Sequence, residues 1–286
     1  MSGQLDDSGD RYLALIKKTL QFSLWTQPPR PIAYFEPLRP SPFKRMALGL
    51  LRLASRLLKT RGLLIAKDVR PDPERLELGV VWPFPNYGET MIGPRRMDNL
   101  EYCMRTVIEE KVPGDLIETG VWRGGACIFM RAILAAYGIT DRTVFLADSF
   151  EGLPPPSPDR PEDNDGDDFH KMKDLCVDLE SVKENFRKYG LLDDQVVFLK
   201  GWFSDTLPVA PMEKIAVLRL DGDMYDSTMV ALENLHPKVS PGGFVIIDDY
   251  NLEPCRAAVI DYRDHHGIKA EMVRIDEAGV FWRNAV

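Results

Sequence analysis

Four carboxylates in two short strings carry the chemistry of this chain. Asp221 and Asp223 sit in Leu220-Asp221-Gly222-Asp223-Met224-Tyr225, and Asp248-Asp249 follow Gly243-Phe244-Val245-Ile246-Ile247 directly. Each string comes just after a run of apolar, often β-branched residues, 215–220 and 244–247. Such runs read as strands buried on both faces of a parallel sheet. The ends of such strands are where open α/β sheets bind ligands. Carboxylates that close repel one another unless a cation lies between them, and hard oxygen ligands suit Mg²⁺. A lone Asp after a strand usually caps the next helix. Two acidic strings at two strand ends favour a metal or catalytic site instead.

A second constellation lies upstream. Glu118-Thr119-Gly120-Val121-Trp122-Arg123-Gly124-Gly125-Ala126 closes one predicted strand and opens a helix. Glycines there let a ligand approach the backbone where a helix N-terminus begins. The spacing departs from the dinucleotide-binding pattern GxGxxG, which argues against a pyrophosphate. The next strand ends in Ala147-Asp148-Ser149-Phe150, an acidic position suited to ribose hydroxyls. Beyond the third strand, Lys200-Gly201-Trp202-Phe203 offers a glycine and aromatics that can border an adenine. Taken singly, these pieces read as a tight turn, a cap and core aromatics. Together they favour a nucleoside-containing ligand without a diphosphate, as in an S-adenosylmethionine site.

The elements that position these residues alternate from about residue 98 onward. Segments 116–118, 144–147, 196–199, 215–220 and 244–247 read as core strands, separated by helical stretches at 126–137, 179–189 and 228–236. A terminal hairpin is expected from 269–275 and 279–282 around Glu277-Ala278-Gly279. The result is an α/β fold with a mostly parallel, doubly wound sheet. Residues 1–75 form an N-terminal extension, and 76–286 the catalytic domain. Residues 1–10 are polar and read as disordered, and six prolines between 28 and 42 exclude a long helix there. Residues 43–59 are apolar at helical spacing with only positive charges. Such a helix packs on its parent domain or a second subunit, or lies on a membrane surface. The first is the preferred reading and makes the protein a homo-oligomer.

Composition narrows the classes. The 286 residues are 44% hydrophobic, enough for a large core, and a net charge of −8 disfavours nucleic acid as a partner. Four scattered cysteines and four histidines form no zinc pattern. The cysteines read as reduced and mostly buried, in a cytoplasmic protein. No apolar run approaches the roughly 20 residues needed to span a bilayer.

The longer strings carry a resemblance. Met91-Ile92-Gly93, Arg96-Met97-Asp98-Asn99-Leu100, Glu118 to Gly125, Asp148-Ser149-Phe150-Glu151-Gly152-Leu153-Pro154, Leu220 to Thr228 and Pro241-Gly242-Gly243 through Asp249-Tyr250 resemble the macrocin O-methyltransferase (TylF-type) family over about residues 80–283. That family methylates sugar hydroxyls of glycosylated natural products. The resemblance implies a class I methyltransferase, Rossmann-like, with a seven-stranded sheet and helices on both faces. It implies S-adenosylmethionine and Mg²⁺ as cofactors. Thr90, Met91, Glu118 and Gly120 would line the methionine part, Asp148 the ribose, and Ser149 and Trp202 the adenine. Asp221, Asp248 and Asp249 would be the Mg²⁺ ligands, with Asp221 also the catalytic base and beside the cofactor.

The chemistry is consistent with that implication. A sugar hydroxyl has a high pKa, and a cation on vicinal oxygens both acidifies and orients it; a carboxylate can then take the proton. Catechol-type enzymes place a lysine near their first ligand, where this chain has Met224 and Tyr225. Residues 157–170, with six acids, read as a solvated loop or a lid over the acceptor, with His170 a candidate contact. Three alternatives remain: a catechol or phenol acceptor, a DxD-type phosphatase, and a binding protein that kept the fold without catalysis.

Overall fold

The computed structural model describes residues 5–26, 28–34, 41–68, 74, 77, 87–156 and 169–285. The elements run α1 (Asp7–Leu20), β1 (Arg30–Pro31), α2 (Pro42–Lys59), β2 (Ala66–Lys67), α3 (Pro94–Glu109), β3 (Asp115–Thr119), α4 (Gly125–Ala136) and β4 (Val144–Asp148). They continue with α5 (Leu179–Lys188), β5 (Val196–Lys200), α6 (Phe203–Thr206), β6 (Ile215–Leu220), α7 (Tyr225–Leu235), β7 (Val239–Ile247), α8 (Glu253–His265), β8 (Val273–Arg274) and β9 (Val280–Arg283).

Seven strands form one sheet in the order β5-β4-β3-β6-β7-β9-β8. The first five are parallel, and the β8–β9 hairpin closes the edge antiparallel. Alternate residues of each strand face two cores. Leu116, Val144, Leu146, Val217, Phe244 and Ile246 pack under α1, α3, α4 and α5. Ile117, Phe145, Ala147, Leu218, Val245 and Ile247 pack under α7 and α8. That two-sided burial is why the strands are apolar throughout rather than alternating.

Register decides where the chemistry lands. Thr119 pairs with Leu220, and Leu220 with Ile247. Gly120, Asp221 and Asp248 are therefore the next residues out on three adjacent strands. Backbone bonds extend the ladder by one step: Asp221 N–H donates to Thr119 at 2.9 Å and Asp248 N–H to Leu220 at 2.8 Å. Chain order reverses between β4 and β6, on either side of β3, so this end is the topological switch point.

The expected core strands and helices are all present, with ends shifted by a few residues. The largest shift is in β7, which starts at Val239 and absorbs a register irregularity opposite Ile215 and Val217. The expectation of disorder over residues 1–10 is corrected from Asp7 onward. Asp6 caps α1 by accepting from Gly9 N–H at 2.8 Å, and Leu13 and Leu20 are fully buried against the main core. The helical spacing of Leu13, Ile16 and Leu20 is the signal that was available. Helix α2 forms as expected, with Ser41 as its cap and Pro42 at its first turn. Among the described residues its apolar stripe is left exposed, at Phe43, Met46, Leu50, Leu53 and Leu57. Residues 157–168 of the expected lid lie outside the described residues.

Candidate active site

The glycine loop is shaped by backbone approach. At Gly120 (φ +82°) a Cβ would lie 1.8 Å from the Asp221 carbonyl oxygen, and at Gly125 one would lie 2.4 Å from that of Glu89. No side chain fits either place, so the two strand ends and the 89–91 segment close around a common space. Gly125 N–H donates to that Glu89 carbonyl at 2.9 Å, which sets Thr90 and Met91 against the N-terminus of α4.

A cavity of about 430 Å³ opens here, lined among others by Met91, Gly120, Asp148, Ser149, Trp202 and Asp221. Its walls are mostly apolar, with few polar groups, as small-molecule sites tend to be. Asp148 accepts from Val121 N–H at 2.8 Å and Phe150 N–H at 2.7 Å, which fixes the carboxylate facing the glycine loop. Burial pushes its pKa up, and those backbone donors oppose the shift. A carboxylate has about four lone-pair positions, so both oxygens retain capacity for ribose hydroxyls. The Ser149 hydroxyl is used locally, donating to the Gly152 carbonyl at 2.7 Å. Trp202 stands at the cavity rim, 39% exposed.

A smaller cavity of about 140 Å³ adjoins it and is lined by Thr90, Met91, Glu118, Arg96, Arg219, Asp221, Asp248 and Asp249 among others. One oxygen from each of Asp221, Asp248 and Asp249 lies within 4.8 Å of the others. Burial first, and then the neighbouring carboxylates, pushes Asp221 up and Asp249 well up. The two share a hydrogen bond, as carboxyls held this close do when one carries a proton. An all-carboxylate set under mutual repulsion fits a hard divalent cation.

Two buried arginines hold this set in place. Arg219, on β6, donates to Asp221 at 2.8 Å and pairs with Glu118 and Asp248. Arg96, on α3, pairs with Asp248 and donates to Asp276 at 3.0 Å. Asp276 in turn accepts from Ala278 and Gly279 N–H in the hairpin turn at 2.9 and 2.7 Å. At the other end, the Cys127 thiol donates to Glu118 at 2.8 Å. Burial pushes Glu118 up to about 7, against the pull of Arg219. A chain of charges thus runs beneath the site from the terminal hairpin to the glycine loop.

The structure brings every residue expected to hold the cofactor or the metal to these two adjoining cavities. Thr90, Glu118, Asp248 and Asp249 line the smaller, Gly120, Asp148, Ser149 and Trp202 the larger, and Met91 and Asp221 both. His170 lines neither, while its neighbour Phe169 lines the smaller. Sequence reasoning passed over Arg219 and Arg96 as functional residues. The signal for Arg219 was a charge inside the run Ile215–Leu220, where it needs a buried partner.

Comparisons with known proteins agree with this geometry. The family model for macrocin O-methyltransferase (TylF) matches residues 9–284, so the likeness extends well beyond the 80–283 expected and includes α1 and α2. The chain is 55% identical, over 76% of its length and 83% of the other's, to the 8-demethyl-8-(2,3-dimethoxy-alpha-L-rhamnosyl)-tetracenomycin-C 4'-O-methyltransferase of Streptomyces olivaceus. It is 53% identical, over 71% of its length and 81% of the other's, to the mycinamicin III 3''-O-methyltransferase of Micromonospora griseorubida. Among solved structures, the O-methyltransferase NovP superposes with a TM-score of 0.80 at 40% identity, covering 97% of this chain and all of that one. With the switch-point cavities and this match along nearly its whole length, the chain belongs to the TylF macrocin O-methyltransferase family and is an S-adenosylmethionine-dependent O-methyltransferase.

Proposed function

We propose that the enzyme methylates a sugar hydroxyl of a glycosylated natural product in antibiotic biosynthesis, with Mg²⁺ held by Asp221, Asp248 and Asp249. One observation carries the reading: Asp221 lines both the larger cavity and the carboxylate cluster. A single side chain therefore stands where cofactor and activated acceptor must meet. The tetracenomycin relative, whose name specifies a rhamnosyl substrate, supports a sugar acceptor.

The chain's own residues divide the work. Gly120 and Met91 leave room for the methionine part of the cofactor, with Thr90 and Glu118 behind them. Asp148 takes the ribose hydroxyls, and Ser149, through its backbone, and Trp202 border the adenine. Asp221 and Asp249 would hold the cation at the smaller cavity. Asp248, already paired with Arg96 and Arg219, would complete the set. The chemistry supplied by the bound ion is Lewis-acid activation and orientation of vicinal oxygens. Asp221 accepts the hydroxyl proton; the acceptor oxygen takes the methyl as the C–S bond breaks, and the electron pair stays on sulfur. All these residues lie in the 76–286 division, while α1, before it, serves the same core. Among the described residues no helix is long and apolar enough to cross a membrane and the four cysteines are free, which supports a cytoplasmic enzyme.

The test is transfer of labelled methyl to glycosides and to free phenols, with and without EDTA. Activity on glycosides that EDTA abolishes and Mg²⁺ restores is expected. Asp221→Asn should lower turnover by about 10²–10⁴-fold while S-adenosylhomocysteine binding, followed by calorimetry, stays nearly unchanged. Full activity in EDTA would remove the metal from the reading, and activity confined to phenols would replace the sugar.

A further inference from the structure

Helix α1 contributes no residue to either cavity, yet its end is bonded to a wall of both. Residues 88–92 form neither helix nor strand, so their backbone groups need partners elsewhere. Met91 lines both cavities, and Glu89, Thr90 and Ile92 line the smaller. The Glu89 N–H donates to the Leu20 carbonyl at 2.8 Å, and Gln21 Nε2 donates to the Ile92 carbonyl at 3.2 Å. These two bonds bracket Thr90 and Met91. From the opposite side, Arg123 of the glycine loop donates to the Gly88 carbonyl at 2.8 Å, and Gly125 N–H to that of Glu89 at 2.9 Å. The segment is strung between α1 and the glycine loop.

The end of α1 is shaped for this contact. The last four carbonyls of a helix lack partners within it. Phe22 takes the left-handed conformation (φ +54°), which turns the chain back so that Ser23 N–H closes on Lys18 at 2.8 Å and Phe22 N–H on Thr19 at 2.9 Å. The Leu20 carbonyl instead takes Glu89. The approach is close: a Cβ on Gly88 would lie 3.1 Å from the Leu20 carbonyl oxygen and 3.3 Å from that of Thr90. The helix itself is fixed along its length. Leu13 and Leu20 are fully buried, Lys17 pairs with Asp98 and Glu101 of α3 at 2.5 and 2.7 Å, and Arg105 pairs with Asp10 at 2.6 Å. A segment without regular structure is thus held by a fixed neighbour, which is how a binding wall keeps its geometry before the ligand arrives.

We infer that α1 is a positioning element of the cofactor site, with Gln21 and the Leu20 carbonyl holding residues 88–92 where Thr90 and Met91 close on the methionine part of S-adenosylmethionine. Gln21 is a positioning residue, bonded to the wall and not to the ligand. The inference rests on the cofactor placement proposed above. The adenine and ribose end, around Asp148 and Trp202, belongs to β4 and the start of α6 and should be indifferent to α1.

Calorimetry on the full chain tests this with S-adenosylhomocysteine and with methylthioadenosine, which keeps the adenine and ribose but lacks the amino-acid end. Gln21→Met removes the bond to Ile92 at nearly constant size, and Gly88→Ala crowds the segment off α1. Each should weaken S-adenosylhomocysteine binding by about 3–10-fold, the loss expected for one hydrogen bond. Methylthioadenosine binding should stay within about twofold of wild type, as for a distant site. Gln21→Lys, which keeps an N–H donor, should restore most of the loss. Circular dichroism shows that each variant is folded; should Gly88→Ala not fold, the two Gln21 variants decide. Variants that weaken both ligands alike, or neither, overturn the inference while leaving the cofactor placement intact. A wild type that binds the two ligands equally would instead overturn that placement, and the inference with it.

Discussion

Two regions of this molecule treat unfavourable side chains in opposite ways. At the switch point, buried charges face one another within the fold: Arg219 and Arg96 pair with Glu118, Asp221, Asp248 and Asp276. On α2, large apolar side chains stand exposed among the described residues. The first arrangement is satisfied within the fold, whereas the second leaves apolar surface that no described residue covers. The difference teaches which side chains the fold settles and which it leaves at its surface. A buried ion network adds little net stability but is costly to break, whereas an exposed stripe contributes nothing until it is covered.

That contrast can be broken most directly at Arg219. Arg219→Met leaves Glu118, Asp221 and Asp248 without their shared counter-charge, and it should destabilise the protein by about 3–5 kcal/mol. Urea unfolding reads the effect, and a loss under about 1 kcal/mol would mean that the carboxylates relax by taking up protons or water. Exposed α2 positions such as Leu57, changed to Ser and measured in dilute solution, should stay within about 0.5 kcal/mol of wild type.

A smaller effect is expected at the cofactor side. Asp148→Ala removes the acceptor for Val121 and Phe150 N–H and the proposed ribose contact. Binding of S-adenosylhomocysteine should weaken by about 10–100-fold, as loss of charge-assisted hydrogen bonds does, with calorimetry as the measurement. Unchanged affinity would move the ribose elsewhere and leave Asp148 with only its role in shaping the loop.

The smallest effect concerns pH and lies away from both regions. Burial, with His266 and Arg263 adding to it, lowers the pKa of His236, whose Nδ1 lies 3.2 Å from the Tyr262 hydroxyl. A base whose folded pKa is depressed contributes fully above its unfolded value of 6.5. The contribution is lost as pH falls from there through the folded value. Stability against thermal unfolding should therefore fall on the acid side of about pH 6.5, and His236→Gln should flatten that slope. An unaltered slope would assign the acid sensitivity to other groups.

Much of the site was legible because its residues follow strands. An apolar run ending in an acid reports both a buried strand and what stands at its end, so Asp148, Asp221, Asp248 and Asp249 could be named from order along the chain. The glycine loop was legible for a related reason: Gly120 and Gly125 stand where a side chain would collide with backbone. Helix α1 was passed over because the mostly polar or small residues 1–10 masked a short apolar period behind them.

Local pattern determined the strands, their apolar two-sided character, the acidic strand ends and the amphipathic nature of α2, since each depends on neighbours within a few residues. Register, and partnership across the sheet, came only with the tertiary structure. The pairing of Thr119 with Leu220 and of Leu220 with Ile247 puts Gly120, Asp221 and Asp248 side by side, although 128 positions separate the first from the last. Arg96 reaches Asp248 across 152 positions and Asp276 across 180. Buried charges find partners wherever the packed chain brings them, and no spacing along the sequence encodes that distance.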